Sequence, residues 1–502
     1  MSRKLSIFLI GVFFINGICY AATVLETENF VLSMESYLRN DVVSFKNVVD
    51  LDSANSDDTT TYLGIDYSLG FKGAFKNNSL NFYLKLERNG PGDCNAPLSV
   101  HNTLMTSGGV IEEYRNDELL PQVEEFWLDA PLRNNFRFKL GLYTYEVGNG
   151  FSLNGSYENY GFTLSRESED FSWRLYYCRP DVVYKNHLGP RIRQDQEQEY
   201  VYNHNAANFF ATDAKFNIGN NVFWPYVGIL ADYTAPEKRD NAFTAPIKRD
   251  LLGTFGLAWN LKQNNLSWAL EAAHNFGKAE SSDPEYKDVY HTGYMAYTDI
   301  DYRLGKFIPT LQFLLCSGNK VTPEMASNTT LTSSKNRAFS YYSPLNKNLG
   351  DSISASHADI RPMVAMASGY GLNYGVPRPK TFSVSDFDNI VITSLGSDFE
   401  VTKKLCLGLY GYYLRAFAKP VGTLNEEARY LSRELGYETD LFIDYQINQN
   451  ILFSLSGGWF FPGKYYKEER DGTTESLFSP FVRGDTDADS AYQIEISMEF
   501  KF

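Results

Sequence analysis

The sequence predicts an all-β protein: a single closed antiparallel transmembrane β-barrel of about 18 strands, with short turns at one end and long loops at the other. Three observations predict it. Segments of about 9–11 residues alternate apolar and polar side chains along the whole chain. That is the period of a strand with two different surroundings, and the length of a tilted membrane strand. The connections between these segments alternate short and long. Finally, no apolar stretch beyond the N-terminus reaches the roughly 18 residues of a spanning helix, so only a closed barrel can place this chain in a bilayer.

The first residues, MSRKLSIFLIGVFFINGICYAAT, carry Arg3 and Lys4, an apolar run from Leu5 to Ile18, and the small residues Ala21 and Ala22. This pattern predicts a secretory signal peptide over 1–22, leaving 23–502 as one barrel domain. Ile18 before Cys19 does not suit a lipoprotein signal. Without Arg3 and Lys4 the net charge falls from −15 to near −17, which argues against nucleic acid as a partner. Four cysteines remain, Cys94, Cys178, Cys316 and Cys406, without CxxC spacing. One bridge among them is open in an oxidising compartment, but spacing names no pair.

In chain order the strands are expected at 29–38, 61–71, LNFYLKLER (80–88), 123–130, FRFKLGLYTY (136–145), 160–166, FSWRLYYCR (171–179), 208–218 and VFWPYVGILADY (222–233). They continue at 251–261, LSWALEAAHNF (266–276), 292–302, 307–316, 390–399, LCLGLYGYYLRA (405–416), LGYETDLFIDY (435–445), ILFSLSGGWFF (451–461) and 491–502. Short Asn-, Gly- or Lys-rich turns follow the even strands: KNN (76–78), RNN (133–135), ESED (167–170), GNN (219–221), QNN (263–265), LGK (304–306), TKK (402–404) and NQN (448–450). Asn and Gly tolerate the positive φ of tight hairpins. Long connections such as 89–122, 180–207, 317–389 and 462–490 follow the odd strands. A soluble sandwich has no reason to collect its long loops at one end. An outer-membrane barrel does, with periplasmic turns and extracellular loops.

The last strand, AYQIEISMEFKF, sets Tyr492, Ile494, Ile496, Met498, Phe500 and Phe502 against Gln493, Glu495, Ser497, Glu499 and Lys501. The apolar set is expected to face lipid and the polar set a wet lumen. Trp127, Tyr143, Trp173, Trp224, Trp259, Trp268, Tyr302 and Trp459 fall near strand ends, where an interfacial girdle is expected.

A barrel of this size encloses an aqueous channel. Alternation turns Lys85, Glu87, Arg137, Lys139, Arg174, Asp299, Asp301, Arg303, Glu438, Asp440, Asp444, Glu495, Glu499 and Lys501 inward. Opposed charges in a lumen brace the wall as cross-strand pairs. They also set selectivity. On the second reading, Arg137, Lys139 and Arg174 form a basic patch opposite the acids of 435–445. The connection 317–389 is the longest, with five prolines, and two placements are open. It folds over or into the lumen as a constriction, or it stands outside. His101, His187, His204, His274, His291 and His357 are scattered, with no HExxH and no GxSxG. Neither an enzyme, a metal site nor a cofactor is expected, and His274 reads as an aromatic-like wall residue.

The segment RELGYETDLFIDYQINQNILFSLSGGWFFPGKYYK (433–467) resembles the alginate-export family of outer membrane β-barrels, through Gly436, Glu438 and Asp440 and then Phe460, Phe461, Pro462 and Gly463. FLLCSGNK (313–320) and FSWRLYYCRP (171–180) are similar to further strands of that family; Asn319 replaces an acid, and Gly141, Leu142 and Tyr143 stand where it has Gly-Arg-Gln. The resemblance implies an outer membrane channel for a hydrophilic, carbohydrate solute such as an exopolysaccharide. Selectivity would come from Lys85, Arg137, Lys139, Arg174 and Arg303 against Glu438, Asp440 and Asp444. The alternatives are a general diffusion porin and a structural, surface-interaction barrel with a closed lumen. The Phe-terminated last strand also resembles the signal read by the barrel-insertion machinery, which gives Tyr492, Phe500 and Phe502 a role in assembly.

Overall fold

The structure is a computed structural model that describes residues 22–46, 60–77, 79–88, 105–106, 109–110, 122–155, 160–179, 207–233, 247–284, 287–320, 322–323, 335–337, 339, 389–424, 427–466 and 489–501. Most of the signal peptide, Cys94, Phe502, four of the six histidines and most of 317–389 lie outside these residues. Eighteen strands make one antiparallel ring. They are β1 (Phe30–Lys46), β2 (Thr60–Phe75), β3 (Leu80–Arg88), β4 (Gln122–Pro131), β5 (Phe136–Leu142) and β6 (Tyr160–Glu167). Next come β7 (Phe171–Arg179), β8 (Ala207–Ile218), β9 (Asn221–Asp232), β10 (Ile247–Gln263), β11 (Leu266–Ser281) and β12 (Tyr294–Tyr302). The ring ends with β13 (Phe307–Cys316), β14 (Ile390–Glu400), β15 (Leu405–Ala416), β16 (Glu434–Asn448), β17 (Ile451–Pro462) and β18 (Ala491–Lys501). Each pairs with its neighbour in the chain, and β18 returns to β1 from Tyr37↔Lys501 to Lys46↔Tyr492. The sheet is closed, and no edge is left to template aggregation.

Burial is inverted relative to a water-soluble protein. On β18, Ile494 and Ile496 are 46% and 40% exposed while Glu495 and Glu499 are 3% and 4% exposed. Leu395 on β14 and Leu409 on β15 point outward at 68% and 57% exposure. Such a surface is stable only against hydrocarbon. Among the described residues no helix is long and apolar enough to cross a membrane; the strands cross it.

The short turns behave as their composition predicts. Asn134, Asn135 and Asn264 take φ of 62°, 62° and 51°, where an asparagine is better tolerated than most residues. From ESED (167–170) onward each turn also bonds to the next. Backbone N–H groups of Asn217, Lys262, Arg303, Glu400, Gln446 and Lys501 donate to carbonyls of Asp170, Asn220, Asn265, Lys306, Lys404 and Asn450 at 2.7–3.1 Å. Lys306 and Lys404 add side-chain bonds of 2.7 Å to the Val401 and Ile447 carbonyls. The turn end is therefore a laced rim.

Three expectations need correction. β1 runs to Lys46 rather than ending at 38, so Arg39 and Asp41 belong to the wall. β5 stops at Leu142, and Tyr143 and Tyr145 leave the sheet. Of the expected girdle aromatics, Trp173, Trp259, Trp268, Tyr302 and Trp459 lie on the lipid side. Trp127, Tyr143 and Trp224 face inward with Lys139, Arg174 and Lys215. One interface needs rings outside, but a lumen also uses them against cations. His274 stacks outward on Phe255, centroids 5.5 Å apart, as an aromatic-like wall residue.

Candidate functional site: the lumen and its inward-folded segment

Of the expected lumen residues, Arg303 and Lys501 are exposed at the turn-side end, and those carried within the strands are not alike. On β3, Lys85 is ion-paired to Glu87 along the same face. Arg137 on β5 grips both oxygens of Asp129 on β4 at 2.7–3.2 Å. Arg174 on β7 pairs with Asp213 on β8 at 3.1 Å and donates to the Glu146 carbonyl at 2.8 Å. Arg303, just past β12, holds Glu400 with two bonds of 2.8 and 3.0 Å at the turn-side mouth. These four cations are neutralised by carboxylates.

Lys139 differs. Its ammonium lies 4.1 Å from the ring centres of both Trp127 and Tyr143, and among the described residues no carboxylate is within ion-pair distance. Two π faces hold the charge without cancelling it. Glu438, Asp440 and Asp444 are buried on the inward face of β16. β16 lies nine strands round the ring from β7, so a basic, aromatic wall stands across from an acidic one. At the seam, buried Arg39 on β1 donates to Asp41 at 2.7 Å and also to Glu495 on β18, tying the first and last strands together.

The largest departure from expectation is the connection after β5. Residues 143–155 fold back inside the barrel as a tongue. Tyr145 stacks on Tyr176 of β7, centroids 4.1 Å apart and planes 3° from parallel, and donates to Asp213 at 2.6 Å. Tyr145 and Glu146 pair with Asn154 and Gly155 as a small hairpin. The tip crosses to β11, where Glu271 accepts from the Asn149 N–H at 2.6 Å and the Ser152 hydroxyl at 2.9 Å. Phe151 reaches Tyr297 on β12, centroids 4.0 Å apart. Val147, Phe151 and Leu153 are buried against the inner wall. The sequence signal was present in VGNGFSLNG: apolar residues spaced among glycines, in a loop that would otherwise show them to water.

Along the axis the interior is zoned. Towards the long loops many inward residues are apolar, among them Cys178, Phe209, Leu230, Leu314, Ile392 and Phe460, and they pack with the tongue, Phe339 and Tyr465, while Asp232 and the Asp250–His291 pair are buried at the same end. Of the 317–389 connection, only this Phe339 neighbourhood is described within the interior. Towards the turns lies a cavity of about 390 Å³ lined by Asp299, Asp301, Thr310, Gln312, Asp398 and Tyr410, with Arg303 at its rim. Asp398 accepts from Tyr410 at 2.8 Å and Asp301 from Thr310 at 2.6 Å.

No family model matches the chain, that of the alginate-export family included, so that resemblance stays at the level of the motifs quoted above. No curated protein matches the sequence either. Solved structures do. OccK8 (OprE) of Pseudomonas aeruginosa has a TM-score of 0.49 at 8% identity, over 94% of this chain and 98% of that one. OprD of the same organism has a TM-score of 0.47 at 10% identity, over 97% of both chains. A BenF-like porin from Pseudomonas fluorescens Pf-5 has 0.47 at 9%, over 94% and 98%. The chain is an outer membrane β-barrel. That statement stands on its closed strand pairing and inverted burial, and it leaves the solute to the lumen itself.

Proposed function

We propose that the barrel is a passive diffusion channel for small hydrophilic solutes, biased towards those that carry a negative charge at the tongue. The observation that carries this reading is Lys139, a lumen cation held by two rings with no carboxylate at ion-pair distance among the described residues, although Asp129 lies opposite it across the ladder and, with Glu125, acts on it from further off. A solute anion passing the Trp127–Tyr143 wall meets that charge in a narrow space of reduced dielectric, where it acts more strongly than in bulk water. Lys85, Arg137, Arg174 and Arg303 brace the wall and shape the field, while the acids of β16 repel the same solute from the far side.

A sugar-like solute is the narrower reading. Trp127 and Trp224 are only partly buried on the inner wall and suit contact with a pyranose ring, whereas Tyr143 and Tyr145 are closed in by their own neighbours. The tongue inside the barrel, with Val147, Phe151 and Leu153 packed on the inner wall, favours small molecules over a polymer such as an exopolysaccharide, so the general porin reading is the better supported. Single-channel recording in a salt gradient tests it. Lys139→Glu should move the reversal potential towards cations by more than Arg137→Glu does. Equal shifts, or none, would remove Lys139 from selectivity.

A further inference from the structure

The buried carboxylate of Glu271 has no part in that selectivity, yet four donors converge on it. The tongue gives the Asn149 N–H at 2.6 Å, the Ser152 hydroxyl at 2.9 Å and the Phe151 N–H, and β9 gives the Tyr226 hydroxyl at 2.6 Å. Ser152 also touches the Tyr226 hydroxyl directly. Beside them, the Asn149 amide donates to the Leu270 carbonyl at 3.2 Å. We propose that segment 143–155 is a movable constriction and that Glu271 is the positioning residue that latches it in the narrow state. The proposal rests on the channel reading above.

Three features support a latch rather than a permanent part of the wall. The tongue contributes no rung to the barrel ladder: β5 pairs with β6 up to Leu142↔Tyr160, and the tongue's only strand pairing is internal. It can leave without opening the ring. The chain leaves the ladder after Leu142, just past Gly141, which is paired with Trp127 and Gly161; its φ of 141° is one other residues rarely adopt, and a Cβ there would collide with the Phe126 carbonyl. The wall beneath is cut to receive it. A Cβ on Gly228 would lie 2.8 Å from Leu153, and one on Gly148 (φ 63°) would lie 2.9 Å from the Glu271 oxygen. A fitted seat and a segment that stands outside the ladder, joined through one carboxylate, make a two-position element.

Charge-assisted bonds to a buried carboxylate are the strong kind, and most of the polar attachment at the tip is of that kind. Glu271→Ala removes all four bonds. Glu271→Gln keeps an oxygen for the Asn149 N–H and an NH₂ that the two hydroxyls can accept, so it should preserve the latch. The experiment is single-channel conductance in planar bilayers, with folding verified by heat-modifiable gel migration. A barrel whose 146–153 is replaced by a short Gly-Ser bridge sets the fully open level. Glu271→Ala is expected to raise the mean conductance severalfold towards that level, with Glu271→Gln close to wild type. If folded Glu271→Ala conducts as wild type does while the bridged barrel conducts more, the latch is wrong and the channel stands. If the bridged barrel passes no current, the channel reading fails and takes this proposal with it. If Glu271→Ala does not fold, the Ser152→Ala, Tyr226→Phe pair removes the two side-chain donors of the four, and the same comparison decides.

Discussion

Asp213 shows what one residue does in such a lumen. It is buried on β8 and accepts from Arg174 at 3.1 Å, Trp224 at 2.7 Å and Tyr145 at 2.6 Å. It therefore joins two wall strands to the root of the tongue. Its removal strands three donors, each of which costs about 1–3 kcal/mol if left unsatisfied away from water. Asp213→Ala is expected to lower the urea midpoint of the refolded protein clearly. Asp129→Ala should do so less, because Arg137 and Asp129 are both partly solvated. Alternation along FSWRLYYCR turned Arg174 inward correctly, but nothing in the sequence joined it to Asp213, 39 positions on. The same limit hid the difference between Arg137 and Lys139. Two basic residues two apart on one strand look equivalent until the neighbouring strand brings a carboxylate to one and a tryptophan to the other.

At the scale of an element, period-2 alternation specifies faces, and the faces follow it. On β18 the lipid side and the lumen side are separated residue by residue. Ile496→Arg, near the middle of that strand, should cost about 2–4 kcal/mol of folding free energy in a bilayer. Ser497→Lys, one step along but facing Glu495 and Glu499, should cost much less. Equal losses in a liposome refolding titration would place the two faces wrongly. Alternation says less about where a strand stops. FRFKLGLYTY reads as one strand to 145 because Tyr143 and Tyr145 keep the phase, yet the sheet ends at Leu142. The glycine at 141, with a positive φ that frees the chain to turn inward, was the available sign. Apolar residues beyond it then found burial inside the barrel, which outweighed continuing the ladder.

For the whole molecule, closure makes every strand depend on its neighbours. The seam between β1 and β18 joins residues at opposite ends of the chain, through ten register pairs and the Arg39–Asp41–Glu495 cluster. The last strand is therefore also the last piece needed, in keeping with the assembly role proposed for Tyr492, Phe500 and Phe502. Deleting Phe502 is expected to lower the yield of folded barrel while the surviving pores keep wild-type conductance. Undiminished yield would end that idea, and altered conductance would point to a role in the wall instead.

By itself the sequence determined the class of the protein, the count and faces of its strands, and which end carries the turns. All of these follow from local regularities: a period of two, the turn chemistry of Asn and Gly, and the absence of a helical span. Only the tertiary structure decided which cations are held by carboxylates and which by rings, and that 143–155 lies inside the barrel. Those properties depend on which side chains meet across strands tens of residues apart, and a period repeated in every strand cannot encode which strand a given charge will face.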